Sequence, residues 1–110
     1  MSTEKERLDE IERNWRQVRD NYLADMAATT SESEANAVQR NYNSAQNAYL
    51  DAVERDLTKN SAEIEEVYRE LVGANRGVEK LRETQEKLAE ILSVMRKATV
   101  AAAKLVVLAA

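Results

Sequence analysis

Apolar residues recur at alternating spacings of three and four positions along three stretches of the chain. Such spacing places side chains on one face of an α-helix, so each stretch predicts an amphipathic helix. In the third stretch, from Ser61 to Ala110, the pattern keeps one heptad phase and is interrupted only at Gln85 and Thr99. A stripe of that length predicts a single supercoiling helix. Its core positions hold Ile64, Val67, Leu71, Ala74, Val78, Leu81, Leu88, Leu92, Met95, Ala102, Val106 and Ala109.

Two shorter helices are predicted ahead of this long one. Thr3 with Glu6, and Ser31 with Glu34, have the spacing of a capping box, which marks a helix N-terminus. The predicted helices cover residues 3–28, 32–58 and 62–110, with Asn60 or Ser61 capping the third. Their stripes include Leu8, Ile11, Trp15, Val18 and Tyr22 in the first helix, and Val38, Tyr42, Ala45, Tyr49 and Ala52 in the second.

The lengths of the three helices decide the predicted architecture. Helices of about 27 residues span ~40 Å, whereas residues 62–110 as one helix span ~73 Å. Two short antiparallel helices can therefore cover only half of the third. The sequence predicts an all-α fold in one domain, residues 1–110: a three-helix antiparallel bundle or coiled coil whose apolar C-terminal half, residues 89–110, protrudes. Trp15, Tyr42, Tyr49 and Leu71 are expected to be buried together.

Gly73 and Gly77 mark the place where a second architecture could arise. Two glycines inside a helix cost roughly 1 kcal/mol each. A break there would fold the chain from Val78 onward back into a four-helix bundle. The heptad keeps its phase across both glycines, so the continuous helix is the preferred interpretation.

Composition argues against catalysis. The chain has no Cys and no His, which removes thiol nucleophiles, disulfides, the usual neutral-pH base and the commonest transition-metal ligand. Most carboxylates lie off the stripe beside Lys or Arg, as in the i,i+4 pair Glu83 and Lys87. We therefore expect no catalytic residues, no metal site, no cofactor and no enzymatic activity.

The charge distribution limits the kinds of partner that the sequence predicts. The net charge is −4, and residues 1–58 carry twelve acidic and seven basic side chains, so nucleic-acid binding is not expected. The charged N-terminus has no apolar run of a cleavable secretory signal. Cytoplasmic localisation is the default expectation, with membrane association as the alternative.

The last twenty residues carry the main functional prediction. Fifteen of them are apolar and none is acidic. A helix that is apolar around most of its circumference must be covered on several sides. The first hypothesis is a structural or assembly protein, such as a virion component, secretion-apparatus part or cytoskeletal adaptor, that forms a homo-oligomer or binds a helical protein partner. The predicted interaction residues are Leu88, Ile91, Leu92, Met95, Thr99, Ala102, Leu105, Val106 and Ala109.

A membrane-associated regulator or adaptor is the second hypothesis. In it, residues 91–110 contact or enter a bilayer. As a membrane span this segment is poor, because residues 98–110 cover only ~20 Å of a ~30 Å hydrocarbon core, and Arg96 and Lys97 would be costly inside it. Gln85 and Thr99 are polar residues at core positions, and such residues commonly set the register or the oligomer number of associating helices. Alternatively, Gln85 lies where the first two helices end and simply reaches water.

Overall fold

Five α-helices make up the secondary structure of the chain. The computed structural model describes all residues from 1 to 110. The helices are α1 (Glu4–Asp20), α2 (Tyr22–Ala27), α3 (Glu32–Glu54), α4 (Ala62–Glu83) and α5 (Leu88–Ala109). The prediction of an all-helical fold is confirmed.

Side-chain caps fix where the helices begin. Thr3 Oγ1 accepts a hydrogen bond from the Glu6 amide at 3.1 Å, and the Glu6 carboxylate accepts one from the Thr3 amide at 2.9 Å, which confirms the first capping box. The hydroxyl of Ser31 caps α3 by accepting from the amide of Glu34 at 3.1 Å. Ser61 caps α4 in the same way. These bonds satisfy amides that lack a partner within the helix.

The first predicted helix is divided at Asn21. Its Nδ2 donates to the backbone oxygen of Gln17 at 2.8 Å, and its backbone, with φ −103° and ψ 1°, departs from α-helical geometry. Short amides compete with the helix for backbone partners in this way. The single predicted helix over residues 3–28 is thus two helices, α1 and α2.

The helix continues through both glycines, as predicted, but ends at Glu83. The amide of Gln85 donates to the Arg82 oxygen at 3.1 Å and the amide of Glu86 to the Leu81 oxygen at 3.0 Å. These are the two bonds of a Schellman C-cap, with Gln85 in the left-handed conformation at φ 55°. Glycine usually occupies that position, because the left-handed conformation costs a residue with a Cβ about 1–2 kcal/mol of conformational free energy.

The chain reverses direction over residues 84–87, and α5 packs back along α4 and against α3 and α1. The predicted helix over residues 62–110 with a protruding apolar half is therefore corrected. The molecule measures 41 × 25 × 19 Å, well short of the ~73 Å that a continuous third helix would span. Burial of the apolar α5 explains the reversal, since an extended α5 would leave its large side chains in water.

The helices alternate in direction as a four-helix bundle. The α1 and α4 N-termini lie at one end, where Ser2 hydrogen-bonds the Glu65 carboxylate. The α5 C-terminus returns to the same end, where the Lys59 amide donates to the Ala109 oxygen at 3.0 Å. The chain thus runs up through α1, down through α3, up through α4 and down through α5, an arrangement common among helix bundles.

The core consists of two buried clusters stacked along the bundle. One contains Leu71 and Ile11 with the C-terminal half of α5. The other contains Trp15 with the N-terminal half of α5. Trp15 and Leu71 are buried as predicted but in different clusters, while Tyr42 and Tyr49 are only partly buried. Trp15 meets Tyr42 edge to face, with ring centroids 5.1 Å apart.

Candidate functional site

The predicted interaction residues lie mainly inside the bundle. Leu88 is half-buried, and the other eight are buried among α1, α3 and α4: Ile91, Leu92, Met95, Thr99, Ala102, Leu105, Val106 and Ala109. The apolar stripe that suggested an external contact is therefore covered by the chain itself. In this conformation these side chains cannot reach a partner.

The two polar residues of the stripe have separate roles. Thr99 is buried between α3 and α5, where its hydroxyl bonds Oδ1 of the equally buried Asn41 at 3.2 Å and the Arg96 oxygen at 3.0 Å. Gln85 lies exposed in the turn between α4 and α5. Thr99 thus fixes the level at which α3 meets α5, and Gln85 marks the reversal of the chain.

The side of α5 that faces solvent combines apolar and basic residues. Val100 is 57% exposed and Val107 is 76% exposed, and they stand one heptad apart. No acidic residue occurs between Ile91 and Ala110. We call this surface the α5 outer face, and its exposed members are Ser93, Arg96, Lys97, Val100, Ala103, Lys104 and Val107.

A groove runs beside this face, between α4 and α5. Its lining includes three small residues, Gly73, Ala74 and Ala101, and two lysines, Lys97 and Lys104, together with Val94, Val100 and the acidic Glu70. A Cβ added to Gly73 would meet no atom within 4 Å. No contact inside the chain therefore requires glycine at this exposed helical position.

Gly77, one turn further along α4, differs from Gly73. A Cβ at Gly77 would lie 3.1 Å from Cγ1 of Val94, so its missing side chain lets α5 approach α4 closely. Of the two glycines within the third predicted helix, Gly77 is explained by packing within the bundle. Gly73 is not.

The most buried charged residues stabilise the bundle. Arg82 of α4 forms a bidentate ion pair with Asp25, at 2.9 and 2.8 Å, which ties α2 to α4. Arg7 donates to the Leu57 oxygen at 2.7 Å, at the opposite end. The Ser2 hydroxyl bonds Glu65 at 2.5 Å, and this bond is the main reason why the pKa of that carboxyl lies below its usual value.

Two asparagines are buried in the bundle, Asn14 on α1 and Asn75 on α4. Asn75 donates to the backbone oxygen of Glu10 at 3.0 Å and to its carboxylate at 3.1 Å. Asn14, one turn further along α1, is 1% exposed, and neither of its amide atoms has a protein hydrogen-bond partner. Its side chain lines neither the polar groove between α1 and α4 nor the grooves that α5 forms with α3 and with α4.

Most acidic side chains lie at the surface of the bundle. No group of three or more His, Cys, Asp or Glu residues is placed to hold a metal ion. Burial, followed by the nearby carboxylates of Glu6 and Glu10, raises the pKa of Tyr68, which makes its phenol a weaker acid. The groove between α1 and α4 is lined only by polar side chains, among which Arg13 and Glu79 approach to 3.9 Å.

None of the five helices combines the length and the apolar character that crossing a membrane requires. Leu23, Leu50 and Val53 are also exposed, but Val100 and Val107 share the α5 outer face with three basic residues, and Val100 lines the groove beside it. Comparison of the chain with protein-family models, with curated proteins and with solved structures found no match, so the candidate site rests on its own geometry.

Proposed function

We propose that the protein is a non-enzymatic assembly protein that binds an acidic amphipathic helix of a partner along the α5 outer face. The observation that carries the proposal is the combination of Val100 and Val107, exposed one heptad apart, with the basic side chains beside them. Two apolar residues at that spacing match the seam of a packed helix. The absence of acids over residues 91–110 favours a negatively charged partner.

The groove supports a helix as the occupant. Small residues allow a partner helix to approach closely. Gly73, Ala74 and Ala101 leave room for such a helix in the groove between α4 and α5. Gly73 weakens α4 by roughly 1 kcal/mol relative to alanine without serving any contact in the chain. A partner helix lying over Gly73 would give this glycine a function. Lys97 and Lys104 would then pair with its carboxylates.

A synthetic amphipathic peptide, with a Leu and Ala seam flanked by Glu, provides the probe. We expect it to bind the wild-type protein and to bind at least tenfold more weakly after Lys97→Glu with Lys104→Glu. The matched control is Lys59→Glu with Lys80→Glu, which changes the net charge equally at exposed positions away from this face. Fluorescence anisotropy at two salt concentrations measures both effects. Equal binding by the two double variants would overturn the proposal.

A larger side chain in the groove tests how much the shape of the groove contributes to peptide binding. Gly73→Leu should weaken peptide binding while leaving the fold intact, because the space around Gly73 is open. Gly73→Ala, which adds a single carbon, serves as its control and should bind more tightly than Gly73→Leu. If both variants bound the peptide as well as the wild type did, the groove would have no part in recognition.

The second candidate is a membrane-associated adaptor that uses the same face. Exposed valines among Arg96, Lys97 and Lys104 also suit a surface of anionic lipid. Sedimentation with phosphatidylserine vesicles, compared with phosphatidylcholine vesicles, separates the two functions. Binding to the anionic vesicles without binding to the peptide would favour the adaptor.

A further inference from the structure

The turn between α4 and α5 joins two helices that share one heptad phase. Core positions on both sides are buried, from Ile64 to Val78 and from Leu92 to Ala109, and the same repeat runs through the turn at Leu81, Gln85 and Leu88. A turn between independent helices has no need to preserve this phase. If residues 84–87 became helical, α4 and α5 would form one helix with an unbroken apolar stripe.

The turn itself is poorly suited to its conformation. Gln85 is the only non-glycine residue with a positive φ, and the turn contains neither Gly nor Pro. Glu83, Gln85, Glu86 and Lys87 all have good helix propensity. Local preference therefore favours a continuous helix. Burial of the inner side of α5 favours the hairpin, and a second chain could supply the same burial.

We infer that the protein forms a domain-swapped dimer in which residues 84–87 become helical and α5 of each copy packs into the bundle of the other. Each α5 then makes the contacts that it makes in the monomer, except at the turn, which is the usual energetic basis of domain swapping. The buried α5 residues Leu92, Met95, Leu105 and Val106 become the contact between two copies. This inference concerns the inner side of α5, whereas the proposed function concerns its outer face, so either can fail alone.

The pairing of α4 with α5 fixes the symmetry of the dimer. Gly77 lies opposite Val94 in the packing of α4 on α5. In the swapped dimer these residues belong to different chains, so the two-fold axis would cross the paired helices halfway between positions 77 and 94, at the level of Gln85 and Glu86. Lys87 of one copy would then lie opposite Glu83 and Thr84 of the other. Gln85 would approach the axis as a polar residue in an otherwise apolar stripe, which is the arrangement that specifies register in coiled coils.

Two substitutions at Gln85 should move the equilibrium in opposite directions. Gln85→Gly relieves the left-handed turn and weakens the continuous helix, so it should favour the monomer. Gln85→Leu keeps helix propensity and completes the stripe, so it should favour the dimer. We expect the dimer dissociation constants of the two variants to differ by roughly tenfold or more. The reason is that each of the two chains loses the free-energy cost of a left-handed non-glycine residue at position 85 when it enters the dimer. Light scattering after size exclusion measures the change.

A matched control separates swapping from simple stickiness. Glu86→Leu adds the same apolar side chain to an exposed position of the turn, outside the stripe and without a positive φ. It should dimerise less than Gln85→Leu. Equal dimerisation of these two leucine variants, or a dimer fraction no greater in Gln85→Leu than in Gln85→Gly, would overturn the inference.

Chain topology is tested by a disulfide, since the protein has no cysteine of its own. Gly77→Cys with Val94→Cys, added to Gln85→Leu, places two thiols at a spacing that a disulfide tolerates. After oxidation, a swapped dimer gives a covalent dimer in denaturing, non-reducing electrophoresis, whereas the monomer fraction gives an internal crosslink. Internal crosslinks alone in the dimer fraction would refute swapping. If the cysteine variant failed to fold, the comparison of Gln85→Gly with Gln85→Leu would still decide.

Discussion

Gly77 lies against Val94 so closely that a Cβ added to the glycine would stand 3.1 Å from Cγ1 of the valine. Gly73, one turn earlier, faces open space. The two glycines of α4 should therefore respond differently to the same substitution. Gly73→Ala should stabilise the fold by about 0.5–1 kcal/mol through helix propensity and chain entropy. Gly77→Ala should gain less, because Val94 must shift. Denaturant unfolding measures both, and an equal gain at the two positions would contradict this packing.

Trp15 should be a major contributor to stability. It is 8% exposed and packs edge to face on Tyr42. Trp15→Ala should cost about 3–5 kcal/mol, as for other buried aromatic residues. Trp15→Phe, which keeps a ring in place, should cost less. Thermal and urea unfolding report these losses. An unchanged stability of Trp15→Ala would show that the buried cluster with the N-terminal half of α5 does not depend on this side chain.

Glu65 should make stability depend on pH in the acidic range. Hydrogen bonding from Ser2 lowers the pKa of this carboxyl below its usual value of 4.5, so its contribution is complete at neutral pH and is lost as the pH falls through the lowered pKa. Glu65→Gln should therefore lower the melting temperature at pH 7 and matter progressively less below pH 4.5. Glu66→Gln, at an exposed position next to it, is the control. If the decrease in melting temperature caused by Glu65→Gln stayed constant down to strongly acidic pH, stability would not depend on protonation of Glu65.

Asn14 should be replaceable by an apolar residue. Both of its amide atoms are buried without a protein partner, and leucine has the same number and branching of side-chain heavy atoms. Asn14→Leu should stabilise the bundle by about 1–3 kcal/mol, since a buried unpaired amide costs that much. Asn41→Leu should give no such gain, because it removes one of the two partners of the buried Thr99 hydroxyl. Guanidinium unfolding compares the two, and a loss of stability at Asn14→Leu would mean that its amide is satisfied.

The periodicity of the sequence was sufficient to predict which segments are helical and which face of each points inward. Positions such as Leu71, Leu92 and Val106 are buried where the heptad placed them. Thr3 and Ser31 cap their helices as their spacing predicted. These features depend on local chemistry, which is readable from a few neighbouring residues.

The reversal after Glu83 could not be read in the same way. A Schellman cap is usually signalled by glycine, but here Gln85 occupies the left-handed position within an otherwise helix-forming stretch. The reversal depends on burial of α5 against α3 and α4, which is a property of the whole chain. The predicted interaction residues are buried for the same reason, since α5 packs against the other helices of its own chain. The α5 outer face had its own weaker signal, the seven-residue spacing of Val100 and Val107.

The segment between α3 and α4 is held at three points although residues 55–61 form no regular structure. Leu57 is 1% exposed, Arg7 binds its carbonyl at 2.7 Å, and the amide of Lys59 donates to Ala109 at 3.0 Å. The start of α1, this segment and the last turn of α5 should therefore open together as one cooperative unit. In hydrogen exchange, the Lys59 amide should be protected to the same extent as the last amides of α5, despite lying in a loop.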